Sequence, residues 1–349
     1  MTKKKNRSFK VIILSVLLIF LLIGSVVGYF YLDAGLNQTI LNSKNRLFKV
    51  NKGETLNSLC QRMLADELVS DCLPIKLHAK VFDTYTGIKS GTYEMNKKMV
   101  FSHFLLNLVE GNEKQFPFTI VEGDNIYQVL AKLNNAKLLE NDLAGLPLPE
   151  TSKKLGLNYK SPEGWLYPET YYYSANTSAS ELLSRAVKKQ ITVLNKAWGE
   201  KADNLAIHDV YQALILASII EKESSVAGER DIISSVFHNR LKKRMRLQTD
   251  PTVIYGIWHE YDGDIKRKHL NQMTPYNTYR IKGLTPTPIS NPSLASIVAV
   301  LHPAQTNYLY FVASGNGDHI FSPSLEEHNR AVRNYLKKQR IKSLQNNDG

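Results

Sequence analysis

From Val11 to Leu32 the chain carries no charged side chain, a run long enough for one helix to cross a bilayer. Beyond it the apolar positions become periodic. Leu56, Leu59, Cys60, Met63 and Leu64 keep the three-four spacing of one buried helix face, and so do Ile126, Val129, Leu130 and Leu133. A short alternating stretch, a glycine turn and a capping residue precede each of these helices. They are Phe48-Lys49-Val50 with Gly53 and Thr55, then Phe118-Thr119-Ile120 with Gly123 and Asn125. The two segments read as copies of one strand–turn–helix unit. Between them, Ser90 to Glu94 predicts a strand and Phe101 to Val109 an amphipathic helix ending near Gly111. The densest apolar segment is Tyr211 to Ile220, a helix buried on most of its sides that ends in Glu221-Lys222-Glu223.

Periodicity fades from about Leu138 to Lys160, where Gly145, Pro147, Pro149 and Gly156 gather, and a soft boundary falls there. Glu181 to Trp198 predicts a polar-faced helix leading into the central one. After Gly228 another helix turns Ile232, Ile233, Val236, Phe237 and Leu241 inward, leaving Arg240, Lys242, Lys243, Arg244 and Arg246 for a solvated face and end. Pro251 predicts that Asp250 is extended. Asn291 and Pro292 open a helix running to Leu301. Tyr308 to Ala313 and His319 to Phe321 predict a hairpin, and Ser324 to Glu327 a capping box. The class expected is α+β, with short strands among many helices.

Charge adds direction to this picture. The formal net charge is +12, and Lys3, Lys4, Lys5, Arg7 and Lys10 all precede the apolar run. That asymmetry predicts a cytoplasmic N-terminus, with the rest of the chain on the outer side of the cytoplasmic (inner) membrane. A cleaved signal peptide is the alternative, disfavoured by the length of the run and the lack of a small-x-small site before Asp33. Without a basic helix, zinc knuckle or aromatic RNA motif, nucleic acid is not an expected partner. Cys60 and Cys72, the only cysteines, either form one bridge in an oxidising compartment or leave Cys60 as a small buried hydrophobe. His319 and His328 stand singly, without metal-ligand spacing, and read as structural. No metal or cofactor is expected.

The candidate chemistry lies at the end of the central helix. Residues two apart on a helix face opposite ways, whereas those three or four apart share a face. Glu223 therefore lies over Leu216, Ile219 and Ile220, and Glu221 over Ala217 and Ser218. A carboxyl held against branched aliphatic groups stays protonated nearer neutral pH, as a general acid must. Glu223 is the candidate acid. Trp165, Tyr167, Tyr171, Tyr172 and Tyr173 crowd a short segment beside Glu163 and Glu169, a composition shared by carbohydrate clefts and by packed loops.

Ala217 to Glu223, Glu229-Arg230-Asp231, Val236 to Leu241 and Leu247 to Thr252 together resemble the endolytic murein transglycosylase (YceG-like) family, and Glu223-Ser224 is similar to the Glu-Ser pair of other lytic transglycosylases with lysozyme-like sites. The resemblance implies cleavage of the β-1,4 bond between N-acetylmuramic acid and N-acetylglucosamine within peptidoglycan strands, leaving 1,6-anhydro ends. Glu223 would be catalytic. Ser224, Gln248, Thr249, Asp250 and Tyr255 would meet substrate, as would Asn277 and Tyr279 from a further family-like loop. Glu163, Trp165 and Tyr167 become wall candidates. The first copy of the repeat resembles the opening of a LysM module, a small sugar-binding fold; the other reading is a pair of structural βα units. The expected organisation is a cytoplasmic tail (1–10), a transmembrane helix (11–32), a LysM-like module (33–112), a second βα module with linker (113–158) and a helix-rich lysozyme-like catalytic domain (159–349). Peptidoglycan synthases are candidate neighbours. Two rivals remain: a two-carboxylate hydrolase drawing on Asp250, Glu163 or Glu169, and a non-catalytic peptidoglycan-binding scaffold.

Overall fold

The computed structural model describes residues 2–41, 45–223 and 227–347. It divides into two compact units, Met1–Phe116 and Pro117–Gly349. Among the described residues the strands form three two-stranded sheets set among helices, so the α+β expectation holds.

The first unit begins with α1 (Thr2–Leu36), whose segment Phe9–Leu36 is long and apolar enough to cross a membrane and is exposed over most of its length. It continues as β1 (Arg46–Val50), α2 (Leu56–Ala65), α3 (Leu73–Phe82), β2 (Gly91–Met95) and α4 (Phe101–Glu110). β1 and β2 pair antiparallel from Arg46↔Met95 to Val50↔Gly91. Phe48, Leu59, Met63, Ile75, Tyr93, Phe104 and Leu108 make their core. The helix pattern was expected, except that Leu64 stays 38% exposed.

Cys60 and Cys72 are bridged, with Cα atoms 6.0 Å apart, and both are also buried. The bridge joins α2 to Cys72, the residue immediately before α3. Closing a loop of this size is worth roughly 3 kcal/mol in the unfolded state. A Cys60→Ala/Cys72→Ala chain should lose about 2–3 kcal/mol in the stability of this unit, read as faster amide exchange across β1, α2 and β2.

The second unit holds most of β3 (Gln115–Thr119), then α5 (Ile126–Leu133), α6 (Leu148–Lys154), β4 (Thr170–Ser174), α7 (Ala179–Gly199) and α8 (Val210–Glu223). After these come α9 (Arg230–Lys242), α10 (Asp250–Gly256), α11 (Arg267–Asn271), α12 (Leu294–Leu301), β5 (Tyr310–Ala313), β6 (His319–Ser322) and α13 (Leu325–Asn347). β3 pairs with β4. The predicted hairpin is β5–β6, in register from Tyr310↔Ser322 to Ala313↔His319.

The repeat is real at atomic detail. Gly53 and Gly123 adopt φ of +77° and +78°, conformations suited to glycine. One turn is held by Asn51 N donating to Glu54 (2.8 Å), the other by Val121 N donating to Asp124 (3.0 Å). Thr55 and Asn125 then close capping boxes with Ser58 and Gln128. The second copy is nevertheless part of the larger unit.

Two helix starts differ from expectation. Asp250 is not extended: it is the first residue of α10, with Pro251 in the opening turn. Proline is tolerated there because first-turn N–H groups need no helical partner. α12 begins at Leu294 with Ser293 as its cap, not at Asn291. Asn291 is instead a buried tie, its Oδ1 accepting from Leu166 N (3.0 Å) and its Nδ2 donating to Asp124 O (2.9 Å).

Candidate active site

Helix α8 is the centre of the second unit. Ala213 to Ile220 are buried without interruption, which burial of apolar area stabilises. Ser218, within that run, receives Ile289 N at its hydroxyl (3.0 Å), and its carbonyl accepts from Ser290 Oγ (3.0 Å). The last turn of α8 is thus fixed against the 289–293 loop.

The two glutamates at its end have different surroundings. Glu221 accepts from Ser293 N (2.9 Å) and Ser293 Oγ (2.6 Å), with Arg230 at 3.8 Å. It fastens the start of α12 and is fully engaged. Glu223, the final residue of α8, accepts a hydrogen bond at Oε1 from the hydroxyl of Thr249. Burial holds the Glu223 carboxyl above its ordinary range, and the charge of Asp250 adds to the effect. The Thr249 hydroxyl, His319 and Arg240 pull the other way without reversing it. A carboxyl that favours its neutral form, with one hydroxyl aimed at it, can both deliver and take back a proton.

Thr249 is held by its own network. Its N–H meets Thr278 Oγ1 at 3.1 Å, its carbonyl accepts from Thr252 Oγ1 at 2.8 Å, and those two hydroxyls lie 2.8 Å apart. All three threonines are buried. Gln248, just before them, is exposed with φ +51°, the left-handed bend that turns the chain into α10. Thr249, expected to meet substrate, is thus directed at the acid itself.

Arg240 is the largest departure from expectation. It is only 7% exposed, its Nε donating to Leu309 O (2.6 Å) and its Nη1 to Leu247 O (2.7 Å) and Arg246 O (3.3 Å). Its guanidinium lies over the Tyr310 ring. It braces the segment leading into Thr249 against β5, whereas Lys242, Lys243, Arg244 and Arg246 are exposed as expected. The signal was present: Arg240 follows Phe237 by three residues and Val236 by four, the inward face of α9.

The other candidates divide. Asp250 is exposed at the start of α10 and accepts from Tyr279 Oη at 2.7 Å. Asn277 is wholly buried, its Nδ2 donating to the carbonyls of His269, Leu270 and Gln272, and it shapes the loop bearing Tyr279. Trp165 is 5% exposed and stacks on Tyr159 and Tyr211. For that residue the packed-loop alternative describes the geometry. Tyr167 is half-buried, with Lys189 over its ring. Ser224 lies outside the described residues. His319 pairs through Nδ1 with Glu229 at 2.7 Å.

Glu163 offers no wall. It is 0% exposed, and both carboxyl oxygens accept from Ile126 N at the start of α5 (3.1 and 2.9 Å). Burial pushes its carboxyl up to about 8, against the Ile126 amide and the Tyr255 hydroxyl, which favour the charged form. A carboxyl raised this way binds a proton in the folded chain that the unfolded chain releases, so its contribution to stability falls as pH rises from about 4.5 to about 8. Glu163→Gln should flatten that part of the stability–pH curve and raise the melting temperature at pH 8. Thermal melts at pH 5 and pH 8 would show it.

Tyr255 has its hydroxyl on Glu163 and its ring in the wall of a cavity of about 230 Å³ with Tyr127, Trp258 and Tyr276. The cavity opens at the far end of α10 from Asp250. Tyr127, Trp258 and Tyr276 are part-exposed and Tyr255 is buried; the rings touch one another, with Tyr127–Trp258 near-parallel at 13° and Tyr255–Tyr276 centred 4.8 Å apart.

A half-buried carboxyl at a helix end, with one threonine hydroxyl donating to it and Asp250 close enough to raise it further, has the attributes a general acid needs. The chain belongs to the YceG-like family, whose profile matches residues 48–334. It is 32% identical over 305 residues to an endolytic murein transglycosylase of Bacillus subtilis (strain 168), covering 82% of this chain and 84% of that protein. It is 27% identical to an endolytic murein transglycosylase of Streptococcus pneumoniae, covering 91% of this chain and 64% of that one. The crystal structure of a yceG-like protein from Listeria monocytogenes superposes with a TM-score of 0.51 at 28% identity, covering 83% of this chain and 99% of that one.

Proposed function

We propose that this protein is a membrane-anchored endolytic lytic transglycosylase that cuts the β-1,4 bond between N-acetylmuramic acid and N-acetylglucosamine inside peptidoglycan strands. The observation that carries the reading is Glu223: a single carboxyl, held toward its neutral form, with Thr249 donating to it. Neutral Glu223 gives its proton to the leaving glycosidic oxygen as the C1–O bond breaks. The carboxylate left behind takes the proton of the C6 hydroxyl as O6 bonds to C1, with the substrate's acetamido group assisting. Water is not consumed, the 1,6-anhydro ring closes, and Glu223 ends as it began.

Several features support the details. The helix Phe9–Leu36, preceded by basic residues, supports a single-pass anchor with the N-terminus in the cytoplasm and the globular units on the outer side. Asp250 and Tyr279, joined to one another at the start of α10, are the polar groups assigned to substrate, and exposed Gln248 and part-exposed Tyr167 are further candidates in this reading. The order β1–α2–α3–β2 with antiparallel strands supports a LysM-like first unit, and a cavity of about 610 Å³ between the 53–56 turn and the 79–88 segment gives it a groove. Glycan strands emerging from peptidoglycan synthases are the natural substrate for an enzyme anchored in the membrane, so that cleavage ends strand growth.

Among the rivals, the hydrolase loses Glu163, which is sealed from solvent, and keeps Asp250. Mass spectrometry of peptidoglycan digested by the full chain decides. Internal fragments with anhydro-muramyl ends, lighter by one water than hydrolysis products, are expected. Reducing muramic ends would make the enzyme a hydrolase, and binding without cleavage would make it a scaffold.

A further inference from the structure

Helix α3 presents an apolar stripe to the outside. Leu73, Leu77 and Val81 succeed one another at four-residue intervals and are 53%, 42% and 71% exposed, and Phe82 at the helix end is 61% exposed. The core is supplied from another side, by Pro74 and Ile75. Lys76 and Lys80 flank the stripe. Soluble surfaces seldom place large aliphatic groups in a row along one helix.

What covers this stripe is indicated by where α3 is fastened. Its first turn is bound to the last two turns of α1. Pro74 packs so closely on Gly35 that a Cβ there would meet it at 2.1 Å. Tyr31 Oη donates to Asp71 Oδ2 at 2.7 Å, and Gln38 Nε2 donates to both Asp71 O (2.6 Å) and Gly35 O (2.9 Å). The apolar segment Phe9–Leu36 has 28 residues, about 42 Å of helix, against a hydrocarbon core of about 30 Å. The surplus falls at its end, where Tyr29, Phe30 and Tyr31 are exposed, the aromatic residues expected at the headgroup level. α3 starts at that level.

We infer that α3 lies on the outer leaflet as an interfacial helix, with Leu73, Leu77, Val81 and Phe82 entering the acyl boundary and Lys76 and Lys80 reaching for anionic headgroups. The first unit is then docked on the bilayer through α3 as well as tethered by α1, which fixes its height and tilt. The inference rests on the reading of α1 as a membrane anchor, proposed above.

The chain has three tryptophans, Trp165, Trp198 and Trp258, all in the second unit, so a tryptophan placed on α3 can be read against them. Full-length Val81→Trp and Leu77→Trp chains would be reconstituted in vesicles of phosphatidylethanolamine and phosphatidylglycerol, with and without brominated acyl chains. The added emission is expected to be quenched at least twofold by the brominated lipid, and the emission of the unsubstituted chain much less. Added emission quenched no more than the native tryptophans, in chains that float with the vesicles and resist alkaline carbonate, overturns the docking and leaves the anchor standing; it would mean that water or a second copy covers the stripe. Failure to float overturns the anchor and the docking with it.

Discussion

Glu223→Gln is expected to lower peptidoglycan cleavage by about 10³-fold or more, because one side chain serves as both acid and base and each role contributes on the order of 10²–10⁴. The amide keeps the volume of the acid, and its carbonyl can still accept the Thr249 hydroxyl. The fold should therefore stay intact. Stability adds a second readout. Because burial holds the Glu223 carboxyl above its ordinary range, the folded chain gives up stability as pH rises through that window. The neutral amide gives up none, so Glu223→Gln should melt no lower than the unsubstituted chain at pH 8, and higher if the carboxyl ionises below that pH. Glu221→Gln should do the reverse. It weakens the charge-assisted grip on Ser293, costing roughly 1–2 kcal/mol, while cleavage continues at reduced thermal tolerance. Full activity in a folded Glu223→Gln chain, measured by release of soluble muropeptides, would remove Glu223 from the mechanism. Loss confined to Glu221→Gln would move the acid two residues back.

The different surroundings of the two glutamates are legible in helical spacing alone. Glu223 stands four residues beyond Ile219 and three beyond Ile220, whereas Glu221 stands three beyond Ser218, which does anchor a polar loop. Local signals generally held. Both glycine turns, both helix caps and the hairpin are visible because each is determined within a few residues. What failed involved partners distant in sequence. Nothing near Thr249 announces that its hydroxyl reaches Glu223, 26 positions earlier. Glu163 looked like a cleft wall because acids among aromatics often are, but its partner is the Ile126 amide, 37 positions away. Pro251 was ambiguous in itself, since proline both ends helices and favours their first turn. Arg240 was misplaced for a different reason. It stands among exposed basic residues, and charge outweighed the periodicity that put it inward.

Arg240 also supports the second large expectation. Its guanidinium donates to three backbone carbonyls, those of Leu309, Arg246 and Leu247, and it lies over Tyr310. Arg240→Met keeps most of the apolar stem yet leaves those carbonyls unsatisfied, each at a cost of about 1–3 kcal/mol where water cannot reach. Partial relaxation brings the expected total to roughly 3–4 kcal/mol, or about 6–16 °C in melting temperature for a unit of this size. Arg240→Lys should recover little, because one ammonium on a flexible stem cannot reproduce the planar fork. The loss should extend to chemistry. The carbonyls released at 246 and 247 directly precede Gln248 and Thr249, so the hydroxyl on Glu223 loses its fixed position. Arg240 is in this sense a positioning residue. Its removal also takes away a positive charge that favours ionised Glu223, so the Glu223 carboxyl should rise further. The alkaline limb of the pH–rate profile for kcat should therefore move to higher pH while kcat itself falls, measured at a temperature where the variant is fully folded. A purely structural brace would lower the melting temperature and leave that limb in place.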